Sequence, residues 1–195
     1  GISVNVDITE RVVLEERLRI AADIDELTRA LSRRRFYEVM GGEQRRAARY
    51  RRPLSLIMFD IDRFKEINDT HGHLAGDQVL VFLSDVVRRQ IRDSDYLARF
   101  GGDEFLLLLP ETPLDGAVRT AERLRAALAQ QPCGELGAVK CSFGVCEYTP
   151  EETGDDLVRR ADRALYQAKA AGRDRVAADP AFPSAHPRAG WDPAM

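Results

Sequence analysis

Apolar positions along this chain recur with two different periods, and the switches between them mark out a series of helices and strands. Helical spacing runs through Arg33–Tyr50 and ends ahead of Pro53, which cannot continue a helix. Leu54, Leu56, Ile57, Met58 and Phe59 then form a nearly unbroken apolar run, the pattern of a strand covered on both faces. Polar residues return at once with Asp60-Ile61-Asp62. A short helix is expected around 63 to 68, then a glycine-containing turn. A long amphipathic helix should follow from about 74 to 92, where Val79, Leu80, Leu83, Val86 and Val87 keep helical spacing. Residues 96 to 100 and 104 to 109 read as two strands joined by Gly101-Gly102-Asp103, a hairpin turn in which glycine would supply positive φ. A helix over Leu114–Gln130 comes next. A strand or a hairpin around Gly144 is then expected over 139 to 148, and a last helix over about 155 to 171, capped by Gly172. The pattern predicts helices packed on an antiparallel-leaning sheet, an α/β sandwich without internal repeats.

The two ends of the chain differ from this core. Residues 1 to 24 read as a connector: Asp7 or Thr9 is placed to cap a charged helix carrying Leu14, Leu18 and Ala21 on one face. Fewer than two heptads fit a parallel-dimer stalk and an ordinary packed helix equally well. From 178 onward four prolines without apolar periodicity predict a disordered tail, which leaves 25 to 177 as the folded domain.

Composition narrows the class. The chain has 195 residues, 44% hydrophobic and 31% charged, which suits one soluble domain with appendages. No run approaches the ~18 apolar residues of a membrane helix, and the first residues of this sequence lack the basic-then-apolar order expected of a signal peptide. The net charge of -3 excludes a broadly cationic binder of nucleic acid polymers, although local basic patches remain open. Three cysteines without a C-x-x-C pair suggest neither a disulfide framework nor a zinc site. Reduced thiols in a cytoplasmic domain with no membrane contact are expected.

The acids carry the chemistry. Asp60 ends a buried strand, and Asp103 and Glu104 occupy the predicted turn. If those strands are neighbours, three carboxylates converge at one edge of the sheet, where mutual repulsion calls for a hard divalent cation such as magnesium or manganese. Lys65, Lys169 and Arg173 are candidates to hold phosphates nearby, and His71 and His73 fit structural or hydrogen-bonding roles better than metal ligation.

These residues resemble a known family. Arg99-Phe100-Gly101-Gly102-Asp103-Glu104-Phe105 is similar to the signature of GGDEF-domain diguanylate cyclases. The resemblance extends from Asp25-Glu26-Leu27-Thr28 with Arg33-Arg34-Arg35-Phe36, through the block from Phe59 to Asp77, to Ala161–Lys169 with Gly172-Arg173-Asp174. One departure is Arg29-Ala30, where the family usually has Gly-Leu. Asp7-Ile8-Thr9-Glu10-Arg11 also resembles the exit of a PAS sensor domain, as if this were the output end of a longer sensor.

The resemblance implies a fold like the nucleotidyl cyclase and polymerase palm. It also implies condensation of two GTP to cyclic di-GMP and pyrophosphate across a homodimer. By position, Asp60, Asp103, Glu104 and the carbonyl of Ile61 would hold two Mg2+ or Mn2+ ions per active site, and Asp103 and Glu104 with Lys65 would form the catalytic group. Asn68 and Asp77 would read guanine, while Lys65, Lys169 and Arg173 would clamp the triphosphate and Gly102 would let it approach. Whether Asp103, Glu104 or metal-bound solvent acts as the base is left open. Arg92-x-x-Asp95 with Arg123 resembles the family's inhibitory product site, against the plainer reading of a surface ion pair. The rival function is a catalytically weak domain that only binds GTP or cyclic di-GMP.

Overall fold

The structure is a computed structural model that describes residues 23–179. The proposed stalk helix, the PAS-like exit and the rest of the proposed tail lie outside the described residues. The elements are helix α1 (Arg33–Tyr50), strand β1 (Leu54–Ile61), α2 (Phe64–His71), α3 (His73–Gln90), β2 (Tyr96–Arg99), β3 (Glu104–Pro110), α4 (Leu114–Gln130), a 3-10 turn (Gly134–Leu136), β4 (Cys141–Glu147), α5 (Gly154–Ala170) and β5 (Val176–Asp179). The strands form one sheet in the order β2-β3-β1-β4-β5, antiparallel except for the β4–β5 pair.

β1 lies at the centre because every one of its residues is buried, as its apolar run requires. Its side chains alternate between two cores. Ile57, Phe59 and Ile61 meet α3 and α4, together with Phe105, Leu107, Phe143 and Val145 of the neighbouring strands. Leu54, Leu56 and Met58 meet α1 and α5 on the other face. The Phe59 ring stacks between Phe105 and Phe143, at centroid distances of 5.6 and 5.2 Å, which fixes the register of three strands at one level.

Helix ends follow local chemistry. The Ser32 hydroxyl accepts from the Arg35 N–H at 3.3 Å to start α1, and Arg51 closes it in the left-handed conformation before Pro53. Thr153 and Asp156 form a reciprocal capping box at the start of α5.

Four expectations need correction. The segment around Gly144 is the single strand β4 and not a hairpin. Glycine is needed there because a Cβ would fall 2.2 Å from both the Ala161 carbonyl oxygen and the Leu165 nitrogen of α5. Ala178 and Asp179, assigned to the tail, belong to β5, so the fold runs past 177. Asp23 and Ile24, assigned to the connector, are folded onto the domain: Ile24 bridges to Leu31, and the Asp23 carbonyl accepts from the Ser32 N–H at 2.8 Å. Finally, neither Gly101 nor Gly102 takes a positive φ, so the turn does not use glycine for its backbone angle. Left-handed backbone occurs instead at Arg29 (φ 60°), in the Arg29-Ala30 departure from the resembled motif.

Candidate active site

The register brings the acids together. Asp60 stands opposite Glu104 on β3 and opposite Ser142 on β4, one residue from the end of β1. Asp103 precedes Glu104 in the turn, and Ile61, also buried, ends β1. Antiparallel pairing therefore sets Asp60 level with Glu104 at one end of the central strand, with Asp103 next to Glu104 in the chain.

Asp60 is 4% exposed. Burial pushes its carboxyl up to about 6; Lys169 works against this, while the charges of Asp103 and Asp62 add to it. One oxygen, Oδ2, is paired with the Lys169 ammonium from α5. The other, Oδ1, is buried with no hydrogen-bond partner. An ionised carboxylate with an orphaned oxygen is costly unless something positive completes it. Oxygen donors of this kind suit a hard divalent cation. Among the described residues no three His, Cys, Asp or Glu side chains are grouped to hold a metal ion, so the expected convergence of three carboxylates is not seen. Lys169 was expected on the triphosphate; here its ammonium sits on Asp60.

The other predicted residues lie on separate elements. Lys65 and Asn68 are on α2 and Asp77 is on α3. The Asn68 amide lies over Gly76, where a Cβ would fall 2.0 Å from Asn68 Oδ1, so glycine beside Asp77 keeps room for the asparagine. Lys65, Asp77 and Arg173 are all exposed. The space at Gly102 is open, with nothing within 4 Å of an added Cβ. Its carbonyl accepts from Arg99 Nη2 at 2.8 Å and Nε at 3.1 Å. Arg99 in turn pairs with Asp25 at 3.3 Å, and Asp25 accepts from the Thr28 N–H at 2.8 Å. The opening motif and the signature turn are thus one structural unit, which their separation in sequence hides. His71 and His73 flank Gly72 at the surface and make no side-chain hydrogen bond among the described residues, which leaves the structural of the two roles expected of them.

The second constellation lies at the opposite end of the β2–β3 pair from the Gly-Gly turn. The Asp95 Oδ2 accepts from the Arg92 N–H at 2.9 Å, and Arg123 on α4 donates to the Gln90 carbonyl at 2.9 Å. All three line one small cavity of about 240 Å³ with Arg119 and Thr120. Asp95 Oδ1 is buried without a partner. Burial pushes the Asp95 carboxyl above the usual aspartate range, outweighing the Arg92 N–H and the charges of Arg92 and Arg123.

Sequence reasoning missed Asp62. Its Oδ1 accepts from Ser142 Oγ at 2.7 Å and its Oδ2 from the Asp174 N–H at 2.9 Å. No local spacing announces a bond to a residue so distant in the chain. Cys133, Cys141 and Cys146 are free and buried, and burial pushes the Cys146 thiol up to about 12.

A palm-like antiparallel sheet with acids at the end of its central strand and in the adjoining turn defines a domain of the nucleotidyl-cyclase type. The family model described as diguanylate cyclase, GGDEF domain, matches residues 22–175, and the chain belongs to that family. It is 43% identical over 172 residues to diguanylate cyclase DgcM of Escherichia coli K12, covering 88% of this chain and 42% of that protein. It is 44% identical over 164 residues to DgcP of Pseudomonas aeruginosa, covering 83% and 24%. The chain thus spans less than half the length of these curated relatives. Among solved structures, the coiled coil and GGDEF domain of DgcB from Caulobacter crescentus, in complex with c-di-GMP, superposes with a TM-score of 0.81. The identity is 31%, over 89% of this chain and 94% of that one. Diguanylate cyclase SiaD with its activator SiaC from Pseudomonas aeruginosa gives 0.77 at 36%, over 90% and 69%.

Proposed function

We propose that this domain condenses two molecules of GTP into cyclic di-GMP and two pyrophosphates, working as a homodimer. The observation that carries the reading is Asp60: a buried carboxylate opposite Glu104, with Asp103 in the next turn and one oxygen left unsatisfied. Asp60, Asp103, Glu104 and the Ile61 carbonyl would hold two magnesium or manganese ions. When bound, such ions supply charge neutralisation at the α-phosphate and lower the pKa of a ligated hydroxyl.

The chain's own residues do the rest. Asp77 accepts from the guanine N1–H and exocyclic amine, and Asn68 lies beside it. Adenine lacks that pair of donors, and leaving the carboxylate unpaired against it is costly, so GTP is preferred over ATP. Lys65 and Arg173 balance the triphosphate, Lys169 joins them once metal ions take over its charge on Asp60, and the open space at Gly102 admits the ligand. Each 3′-hydroxyl oxygen attacks the α-phosphorus of the other GTP and gives up its proton to a carboxylate or solvent base. The new P–O bond forms, the bond from the α-phosphorus to the bridging oxygen breaks, and pyrophosphate leaves with that oxygen. Because the product is two-fold symmetric, two domains must face one another, and their proximity becomes the regulated quantity. Arg92, Asp95 and Arg123 would bind the product, since arginine forks suit guanine O6/N7 and phosphate while the orphaned Asp95 oxygen suits a guanine amine.

Incubation with GTP and magnesium, followed by chromatography, tests the reading. Cyclic di-GMP should accumulate with the wild-type chain. With Asp103→Asn it should fall to background while the circular dichroism stays native, because an amide lacks the charge that divalent ions require. Tight nucleotide binding without turnover by the wild type would favour the binding-module alternative instead.

A further inference from the structure

Between α5 and β5 the chain makes a turn that L-amino acids resist. Gly172, Arg173 and Asp174 have φ values of 115°, 63° and 45°, so two consecutive non-glycine residues lie in the left-handed region. Such backbone persists only where its surroundings over-determine it. The surroundings here are specific. The Asp174 N–H donates to Asp62 Oδ2 at 2.9 Å, and the same carboxylate accepts from Ser142 Oγ at 2.7 Å. One side chain thereby ties the segment between β1 and α2 to β4 and to the turn.

The Asp174 carboxylate is clasped in its turn, by Arg125 of α4 at 3.1 Å and by Lys140 at 3.3 Å. The Arg173 N–H donates to the Ala168 carbonyl at 3.1 Å. What these bonds hold out is the Arg173 guanidinium, which is exposed and has no hydrogen bond or ion pair among the described residues. It stands at the wall of a cavity of about 540 Å³ that Asp62, Lys140 and Asp174 also line. Both oxygens of Asp62 are engaged, whereas Asp60 keeps one free, which separates the roles of two acids that lie two residues apart.

We propose that Asp62 and Asp174 are positioning residues that fix the strained backbone at Arg173 and so present its guanidinium to the triphosphate, without touching the nucleotide themselves. This rests on the reading of Arg173 as a phosphate ligand. A residue that acts through Arg173 affects only ligands that reach Arg173.

Calorimetry on the full 195-residue chain separates the possibilities. The probes are guanosine 5′-(α,β-methylene)triphosphate, which cannot release pyrophosphate, and GMP. Arg173→Ala and Asp174→Ala should each weaken the triphosphate about tenfold, the scale of one charge-assisted contact, and leave GMP unchanged. The double variant should be no weaker than Arg173→Ala alone, because both changes remove one interaction. Asp174→Asn and Lys140→Ala, gentler changes at the same clasp, should give intermediate losses confined to the triphosphate. With GTP as substrate, Asp174→Ala should raise KM more than it lowers kcat. Wild-type triphosphate affinity in Asp174→Ala, an equal loss for GMP, or additive losses in the double variant would each overturn the positioning role. Should Arg173→Ala itself bind the triphosphate normally, the phosphate-ligand reading fails and the proposal falls with it.

Discussion

At the scale of single residues, the structure shows where this chain bears unfavourable conformations and charges. Arg29 adopts φ 60° with its side chain exposed. The left-handed region costs an L-residue about 1–2 kcal/mol, and glycine gives back roughly 0.5–1 of that through its looser unfolded chain. Arg29→Gly should therefore stabilise the domain by up to about 1 kcal/mol, a rise of about 2–4 °C in the thermal midpoint, with unchanged synthesis. A midpoint at or below that of the wild type would show that the turn is unstrained. Asp95 makes a pH-dependent counterpart. Because burial raises its carboxyl, the native state holds that proton more tightly than the unfolded chain does. The stability it contributes is complete below the unfolded value of about 3.9 and is lost as pH rises through the raised native value. Asp95→Asn should match the wild type in urea below about pH 4 and exceed it increasingly toward neutrality. A constant difference across that range would mean that Asp95 titrates as it does in water.

At the scale of elements, legibility followed the length and continuity of the pattern. β1 could be read because its apolar run matches burial on both faces, and α1 and α4 because their apolar stripes run for several turns. β5 was invisible: four half-buried residues without alternation become a strand only because β4 offers them a parallel partner. The acids of the site were legible since strand ends and turns can be located from pattern alone. The Asp62–Asp174 bond was not, because it depends on how α5 returns across the sheet. Gly144 is a case between these two. The sequence marks it as unusual, but only the packing explains that α5 lies against its backbone. Gly144→Ala would force a Cβ against helix backbone that no rotamer change can move, so the loss should reach or exceed the upper part of the ~1–3 kcal/mol range for overpacking. Urea unfolding measures it, and a loss below about 1 kcal/mol would mean that α5 shifts away freely.

At the scale of the whole molecule, β2 and β3 connect two constellations, with the acids near the Gly-Gly turn and the Arg92, Asp95 and Arg123 group at the other end. Separation of this kind allows the product group to be removed without touching the acids. Arg92→Ala deletes a contact worth on the order of 1–3 kcal/mol, so cyclic di-GMP affinity should fall roughly ten- to hundredfold while the initial rate with GTP holds or rises. Calorimetric titration beside initial-rate assays tests both halves, and equal product affinity would reduce the group to the local turn that Asp95 closes on the Arg92 N–H. The unsatisfied oxygen of Asp60 bears on the history of such a domain as much as on its chemistry. At position 60, selection for persistence and selection for output pull in opposite directions, since any neutral residue that fits the sheet relieves a buried charge. A lineage released from the need to signal should lose this aspartate early, drifting toward a sturdier and silent descendant.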